Sequence, residues 1–433
     1  MAEAAAGVRA GAVPSGHVAT RHVPASHVAA VSIGNALEFY DFLTFSLFAV
    51  YIGEAFFPGH DATDKLYASL ATFWVGFLTR PLGAAVLGPL GDKIGRKPAM
   101  LISFGLIGLG MLGLAVTPTY KMIGPAAPVL VVIFRLIQGF ALGGNVGPTT
   151  AFMLEAAPPL RRGFYTSFQG ASQAVAILAS AVVGWTMARL LGPADLGAWG
   201  WRVAFALGVT IVPFGLWLRG RLPETHAAPV AGLRTPLRPH LRLMGCAFFL
   251  LLAATIVTYI ALYMTTYALD TLHQGPSVAF AVSIVISVAM LVSSLGSGWI
   301  SDRIGRRPVA LVSGLAGAAL SAPIFLVIHA TASPLMLFAG MAVLGALVGL
   351  TGAQAILILA EGLPPAIRSG GMAIVYALAI SIFGGATQLV LAKAIHSSNS
   401  PLTPALFLIG AFVIGLAAAL LAPETAPVKT GRA

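Results

Sequence analysis

The sequence predicts an all-α membrane protein: twelve transmembrane helices in two pseudo-symmetric six-helix bundles. Three observations carry that expectation. Of 433 residues, 58% are hydrophobic and 9% charged, too little charge to cover a soluble protein of this length. Long apolar runs recur along the whole chain, and about 20 such residues cross a bilayer. The chain also repeats itself. "GPLGDKIGRKP" (88–98) returns as "GWISDRIGRRP" (298–308), "EAAPPLRRGFYTS" (155–167) as "EGLPPAIRSGGMA" (361–373), and "LPET" (222–225) as "APET" (422–425). Asp92 to Asp302 is 210 residues, Glu155 to Glu361 is 206 and Glu224 to Glu424 is 200. Matched motifs at nearly one spacing mean two halves of like topology.

In chain order the candidate spans cover roughly 29–57, 66–90, 98–117, 126–153, 162–190, 200–220, 241–269, 276–300, 307–329, 334–360, 368–394 and 401–422. The first 28 residues are Ala-rich and hold "HV" three times, at His17, His22 and His27. They lack the continuous apolar core of a signal peptide and read as a disordered cytoplasmic tail. Residues 29–220 form the N-terminal bundle and 241–422 the C-terminal one. Between them, 221–240 has the Pro and Arg content of a cytoplasmic linker, and 423–433 is a second cytoplasmic tail.

Basic residues set the orientation. With the N-terminus inside and the spans alternating, 18 of the 25 Lys and Arg fall on inner segments and 5 on outer ends, leaving Arg80 and Arg135 deep in spans. That split is a positive-inside signal and predicts both termini in the cytoplasm, with the protein in the plasma (bacterial inner) membrane. It also accounts for the net charge of +11, because these residues face anionic headgroups. They are scattered over separate short loops, which speaks against a nucleic-acid partner. Cys246 is the one cysteine, so no intramolecular disulfide forms. "GFALGG" lies inside an apolar span with no strand before it and is not a nucleotide fingerprint. No metal-ligand cluster, nucleophile elbow or phosphate loop stands out, so neither an enzyme nor a metal or cofactor is expected.

The charges inside spans need a reason, because ionisable groups in a bilayer are expensive and pair with each other or line an aqueous path. At about 100° per residue, Asn35, Glu38, Asp41, Phe42 and Phe45 share one arc of span one. Arg80 lies near mid-depth in span two, and Arg135 lies deep in span four. A structural ion pair would explain them, but four deep charges, two of each sign and all in one half, favour a working site. Arginine keeps its proton and offers a fork matched to a carboxylate, so Arg80 and Arg135 suit an anionic substrate. Low dielectric favours a neutral carboxyl and a neighbouring arginine favours the ionised form. Glu38 or Asp41 can therefore exchange a proton as its arginine neighbour engages substrate. Asp41 is favoured as the titrating group with Glu38 close behind, and the pattern alone does not decide between them.

Other polar residues extend the face. Span four continues Arg135, Gln138, Leu142, Asn145, Thr149. Span five carries Thr166, Gln169 and Gln173 at spacings of three and four, and span seven carries Thr255, Tyr259, Tyr263 and Tyr267 at spacing four. These side chains could hydrogen-bond substrate oxygens or neighbouring helices, and both readings stay open. Gly143 and Gly144 let helices approach closely. Lys393, near an outer end, reads as a snorkelling anchor.

The "GDxxGR[KR]" pattern in both halves, together with twelve spans, resembles the major facilitator superfamily. Within it, "GNALEFYDF" (34–42), "FLTRPLGAAVLGPLGDKIGRK" (77–97) and "RLIQGFALGG" (135–144) look like the metabolite:proton symporters. "MIGPAAPVLVVIFRLIQGF" (122–140), "GFYTSFQGASQ" (163–173) and "WGWR" (199–202) are similar to the citrate and tricarballylate transporters of that group. The resemblance implies that Asp92, Arg96, Glu155 and Arg162, with their counterparts Asp302, Arg306, Glu361 and Arg368, latch an outward-facing state. The alternative is loop charges that only set topology. The family carries an acid where this chain has Asn145, and an amide cannot titrate, which leaves span one as the deep proton site.

Two like halves around a central site form a transporter architecture whose halves rock about the solute. The expected function is therefore a proton-coupled symporter that imports a small carboxylate, such as citrate or a related di- or tricarboxylate, by alternating access. Its partners are that anion, protons and the lipid bilayer, and it acts as a monomer. A symporter of a zwitterion such as betaine or proline would need one arginine and an aromatic cage, so two deep arginines speak against it. A non-translocating, transporter-like sensor is the alternative of another class, raised by Asn145. A drug exporter for apolar cations would not place two arginines in its path.

Overall fold

In hydrocarbon every backbone N–H and C=O must be satisfied within the chain, which drives apolar segments into helices. The computed structural model describes residues 25–94, 96–143, 146–221, 238–331 and 333–431, without the side chains at 25, 88–89, 91–94, 96–97, 146, 148, 218–221 and 366. Among these residues there is helix and no strand.

Twelve spans follow in order. The first half holds α1 (Ala25–Leu47 and Ala49–Phe56), α2 (Ala62–Leu78 and Arg80–Ile94), α3 (Arg96–Val116), α4 (Ala126–Leu142 and Val146–Ala156), α5 (Arg162–Leu190) and α6 (Trp201–Gly208 and Ile211–Arg221). The second half holds α7 (Leu241–Thr266), α8 (Pro276–Ile304), α9 (Arg306–Thr331), α10 (Pro334–Gly362), α11 (Pro365–Ala379 and Gly385–Ser398) and α12 (Thr403–Leu421). Ten of the helical stretches are long and apolar enough to cross a membrane, and α1 adds an eleventh bent by 66°. The apolar helix Ala126–Leu142 opens α4, the twelfth.

Sequence periodicity did not announce the breaks. In α1 the bend falls at Phe48, one turn after Thr44, whose Oγ1 bonds back to the Tyr40 carbonyl at 2.5 Å. Such back-bonding bends helices. In α2 the break precedes Pro81, which lacks the N–H needed to continue the ladder. Small residues set the helix spacing. A Cβ on Gly139 would run into the Gly76 carbonyl, and one on Gly143 into that of Arg80, so α4 lies tight against α2, as glycine-mediated packing requires. Gly144 is outside the described residues.

The two bundles meet most extensively along α5 and α8, and contacts close both ends of their interface. On the face where α1 begins and α12 ends, Asp302 at the end of α8 accepts from the Gly163 and Phe164 amides of α5 at 2.8 and 2.9 Å. Arg368 of α11 donates to Glu155 of α4 at 3.0 Å. On the opposite side of the core, Gln388 of α11 donates to Ser46 of α1 at 2.6 Å, and the Tyr67 ring of α2 stands edge-on to His396 of α11, 5.7 Å between centroids.

Arg306 centres the terminal face of the second half. Its side chain is wholly buried, 2.8 Å from Asp302 and 2.9 Å from Glu361. Of the other latch residues named from the sequence, Arg162 joins none of the ion pairs among the described residues and its Nε is buried without a hydrogen-bond partner. The side chains of Asp92 and Arg96 lie outside the described residues. Residues 423–431 do not trail away as the expected tail. Pro427–Thr430 forms a helical turn with Ala426 and Pro427 buried. Glu424 accepts from the Arg306 and Arg307 amides at 2.9 and 3.1 Å, capping the first turn of α9, whose N–H groups have no helical partner. The expected linker and N-terminal tail lie mostly outside the described residues.

Removing Arg306 leaves Asp302 and Glu361 unpaired at a buried position, a loss of about 3–5 kcal/mol for a broken buried pair. Thermal unfolding of purified Arg306→Met is expected to fall well below wild type, while Arg303→Ala, whose guanidinium lies over the exposed Trp299 ring, stays close to it.

Candidate functional site

The site is built where α1, α2 and α4 of one bundle face α7 and α11 of the other. The one-sided pattern of α1 turns inward as the helical period requires: Asn35, Glu38 and Asp41 are 3, 2 and 1% exposed. The break before Pro81 leaves Arg80 at the start of a new helix, and Thr79 Oγ1 ties that break to the Leu136 carbonyl of α4 at 2.8 Å. Arg135 and Gln138, one turn apart on α4, are wholly buried.

These groups form a chain rather than a simple ion pair. Arg135 Nη1 donates to Gln138 Oε1 at 2.9 Å, and Gln138 Nε2 donates to Asp41 Oδ1 at 2.5 Å. The amide thus presents its acceptor to the cation and its donors to the carboxylate. Asp41 Oδ2, Arg135 Nε and Nη2, and Arg80 Nε and Nη2 are buried without hydrogen-bond partners. The guanidinium groups are held by rings instead. Arg80 lies over Phe42 and Phe77 at 4.2 and 4.4 Å, and Arg135 over Phe42 and Phe45 at 4.4 Å each. Such contacts are worth up to about 2 kcal/mol where water is excluded. Phe42 is therefore shared by both arginines and follows the aspartate in sequence.

The arginines differ in access. Arg80 lines a cavity of about 20 Å³, with Gly143, Gly147, Ala373 and Tyr376 among its walls. A second cavity of about 60 Å³ is bordered by Phe39, Gln173, Thr255, Thr258, Tyr259 and Tyr376. Arg135 borders neither. Tyr376 borders both cavities, Arg80 the smaller and Tyr259 the larger.

The remaining candidates divide. Gln173 and Tyr259 reach a cavity wall. Asn35 and Gln169 bond each other, Gln169 Nε2 to Asn35 Oδ1 at 3.1 Å, and Asn35 Nδ2 also donates to Ser172 Oγ at 2.7 Å, so they tie α1 to α5. Tyr263 borders neither cavity, and its hydroxyl is buried without a hydrogen-bond partner. Asn145 is outside the described residues. Sequence reasoning passed over Tyr376, which borders both cavities, and Gln388, which is wholly buried and joins Ser46 to the Tyr259 carbonyl. An amide in the middle of an apolar span was a usable signal for Gln388, since such groups bond across helices. Tyr376 stands in no periodic polar pattern.

Comparison with known proteins agrees with this architecture. The family model described as Major Facilitator Superfamily matches residues 31–387 and, in a second match, 251–432. A citrate-proton symporter of Klebsiella pneumoniae is 32% identical over 396 residues, covering 90% of this chain and 89% of that protein. A proline/betaine transporter of Salmonella typhimurium is 31% identical over 422 residues, covering 92% and 84%. A crystal structure of a D-xylose-proton symporter superposes with a TM-score of 0.74 at 19% identity, covering 94% of this chain and 99% of that one, which shows a shared fold. The chain is a multi-pass membrane transporter and belongs to the Major Facilitator Superfamily.

Proposed function

We propose that the protein is a proton-coupled symporter that imports a small carboxylate, such as citrate or a related di- or tricarboxylate, by alternating access. The observation that supports this reading best is the chain Arg135–Gln138–Asp41 beside the cavity-lining Arg80. Arg80 receives the substrate carboxylate as a bidentate partner. Asp41 takes the proton. Once Asp41 is neutral it no longer holds Arg80 and Arg135 by charge, and the incoming carboxylate supplies the missing negative charge. Proton and substrate then cross together, because either one alone leaves charge unbalanced in a dry site. Glu38, buried one turn earlier on α1, is the second candidate for the proton. The citrate-proton symporter among the relatives supports the same reading.

The basic residues support an orientation with both termini in the cytoplasm of a bacterial inner membrane. In that orientation Asp302, Arg306, Glu361, Glu155 and Arg368 close the cytoplasmic end and act as the latch.

One observation favours a second reading. Phe39, Tyr259 and Tyr376 border the same cavity, and aromatic faces attract quaternary cations. A zwitterion could rest its carboxylate on Arg80 and its cation among these rings, in keeping with the proline/betaine relative.

Three outcomes test this account. In proteoliposomes with an imposed pH gradient, acid outside, citrate or another di- or tricarboxylate accumulates; indifference of every such acid to the gradient overturns proton coupling, and competition by betaine but not by citrate selects the second reading. Asp41→Asn is expected to lose gradient-driven accumulation while retaining exchange of substrate across the membrane, measured as counterflow. Asp302→Asn weakens a contact between bundles by about 1–3 kcal/mol, roughly a 5–150-fold shift in conformational balance. It is expected to slow uptake severalfold while substrate-induced thermal stabilisation persists.

A further inference from the structure

Tyr376 and Ile380 alone border both central cavities. They stand one turn apart at the point where α11 leaves its α-helix at Ala379 and enters a π-helical turn, Ile380–Gly384, a distortion frequent at functional sites. Tyr376 shares the walls of one cavity with Arg80 and those of the other with Gln173 and Tyr259.

The two spaces differ in chemistry. The smaller, about 20 Å³, exceeds the roughly 10–15 Å³ that one water needs. It holds Arg80, with two unpartnered buried nitrogens. The larger offers neutral hydrogen-bonding groups on Gln173, Thr255, Thr258 and Tyr259, and none of its lining residues is charged. An ionised group placed there would meet no charged lining side chain, which is unfavourable.

We propose that Tyr376 is a specificity-determining residue: its ring partitions the site into a compartment for one ionised carboxylate, against Arg80, and a compartment for a neutral body. The preferred form of the carboxylate substrate is then one with a single ionised carboxyl group and hydroxyl or carbonyl oxygens. Further carboxyl groups enter protonated. This deepens the reading that Arg80 holds a carboxylate and rests on it.

Thermal stabilisation of the purified protein by lactate, pyruvate, succinate, citrate and betaine, measured between pH 5 and 8, tests the assignment in wild type, Tyr376→Phe, Tyr376→Ala and Arg80→Gln. Wild type is expected to prefer lactate and pyruvate at neutral pH and to respond to citrate only as the pH falls and citrate loses charge. Tyr376→Phe keeps the ring and the ranking. Tyr376→Ala merges the compartments, improving the apparent affinity for fully ionised citrate relative to lactate by at least about tenfold, a change of 1.4 kcal/mol. An unchanged ranking in Tyr376→Ala, or wild type preferring fully ionised citrate at neutral pH, overturns the partition while leaving the carboxylate reading intact, provided Arg80→Gln abolishes the response. If no acid stabilises wild type, or Arg80→Gln responds as wild type does, the carboxylate reading fails and the partition fails with it.

Discussion

Gln138 holds an aspartate and an arginine one amide apart, all three side chains buried. An isolated charge there would be ruinous to stability, and a direct ion pair would satisfy both charges and have little reason to open. The amide does neither. It accepts from Arg135 and donates to Asp41, leaving an oxygen on one and two nitrogens on the other without partners. Such a half-satisfied network is poised: adding a proton at Asp41 or an anion near the arginines changes the charge balance of the whole group. The aromatic floor of Phe42, Phe45, Phe73 and Phe77 keeps the guanidinium groups in place while those changes occur.

On the proposed reading, the bundles translate that local balance into access. Contacts that join them lie toward both ends, with carboxylates and arginines at the terminal face and neutral amides, hydroxyls and rings toward the other. A conformational balance of this kind is tipped by a ligand that binds one state more tightly than the other. Gln388 connects the two levels directly, because one amide touches both Ser46 near the bend of α1 and the backbone of Tyr259 at the cavity. The carboxy-terminal segment adds rigidity to the second bundle, where Glu424 caps α9 next to the buried Arg306.

Much of this was legible in the residues. Hydropathy marks the twelve spans because bilayer thickness fixes their length, and internal repetition marks the two halves. Glu38 and Asp41 were conspicuous since a helix of known period puts them on one face, and Arg80 and Arg135 since charge is rare at such depth. What was hidden depends on three-dimensional contact. The bend at Phe48 arises from a tertiary position and a local back-bond, not from a proline or glycine. Arg135 and Arg80 looked equivalent along the chain, yet one is packed among rings and the other reaches a cavity. Asn35 and Gln169 resembled substrate ligands and bond each other, while Tyr263 shares a helix face with Tyr259 and borders neither cavity. Tyr376 matters through where α11 distorts, which no periodicity encodes.

The most direct test of the central claim is the proton exchanged when the purified protein binds a transported carboxylate in weakly buffered solution at neutral pH. If Asp41 must be neutral for Arg80 to take the anion, binding draws a proton from solution and the medium turns alkaline, and this response disappears in Asp41→Asn although binding remains. An undiminished alkaline shift in Asp41→Asn, or none in wild type at any pH where substrate binds, would contradict the account.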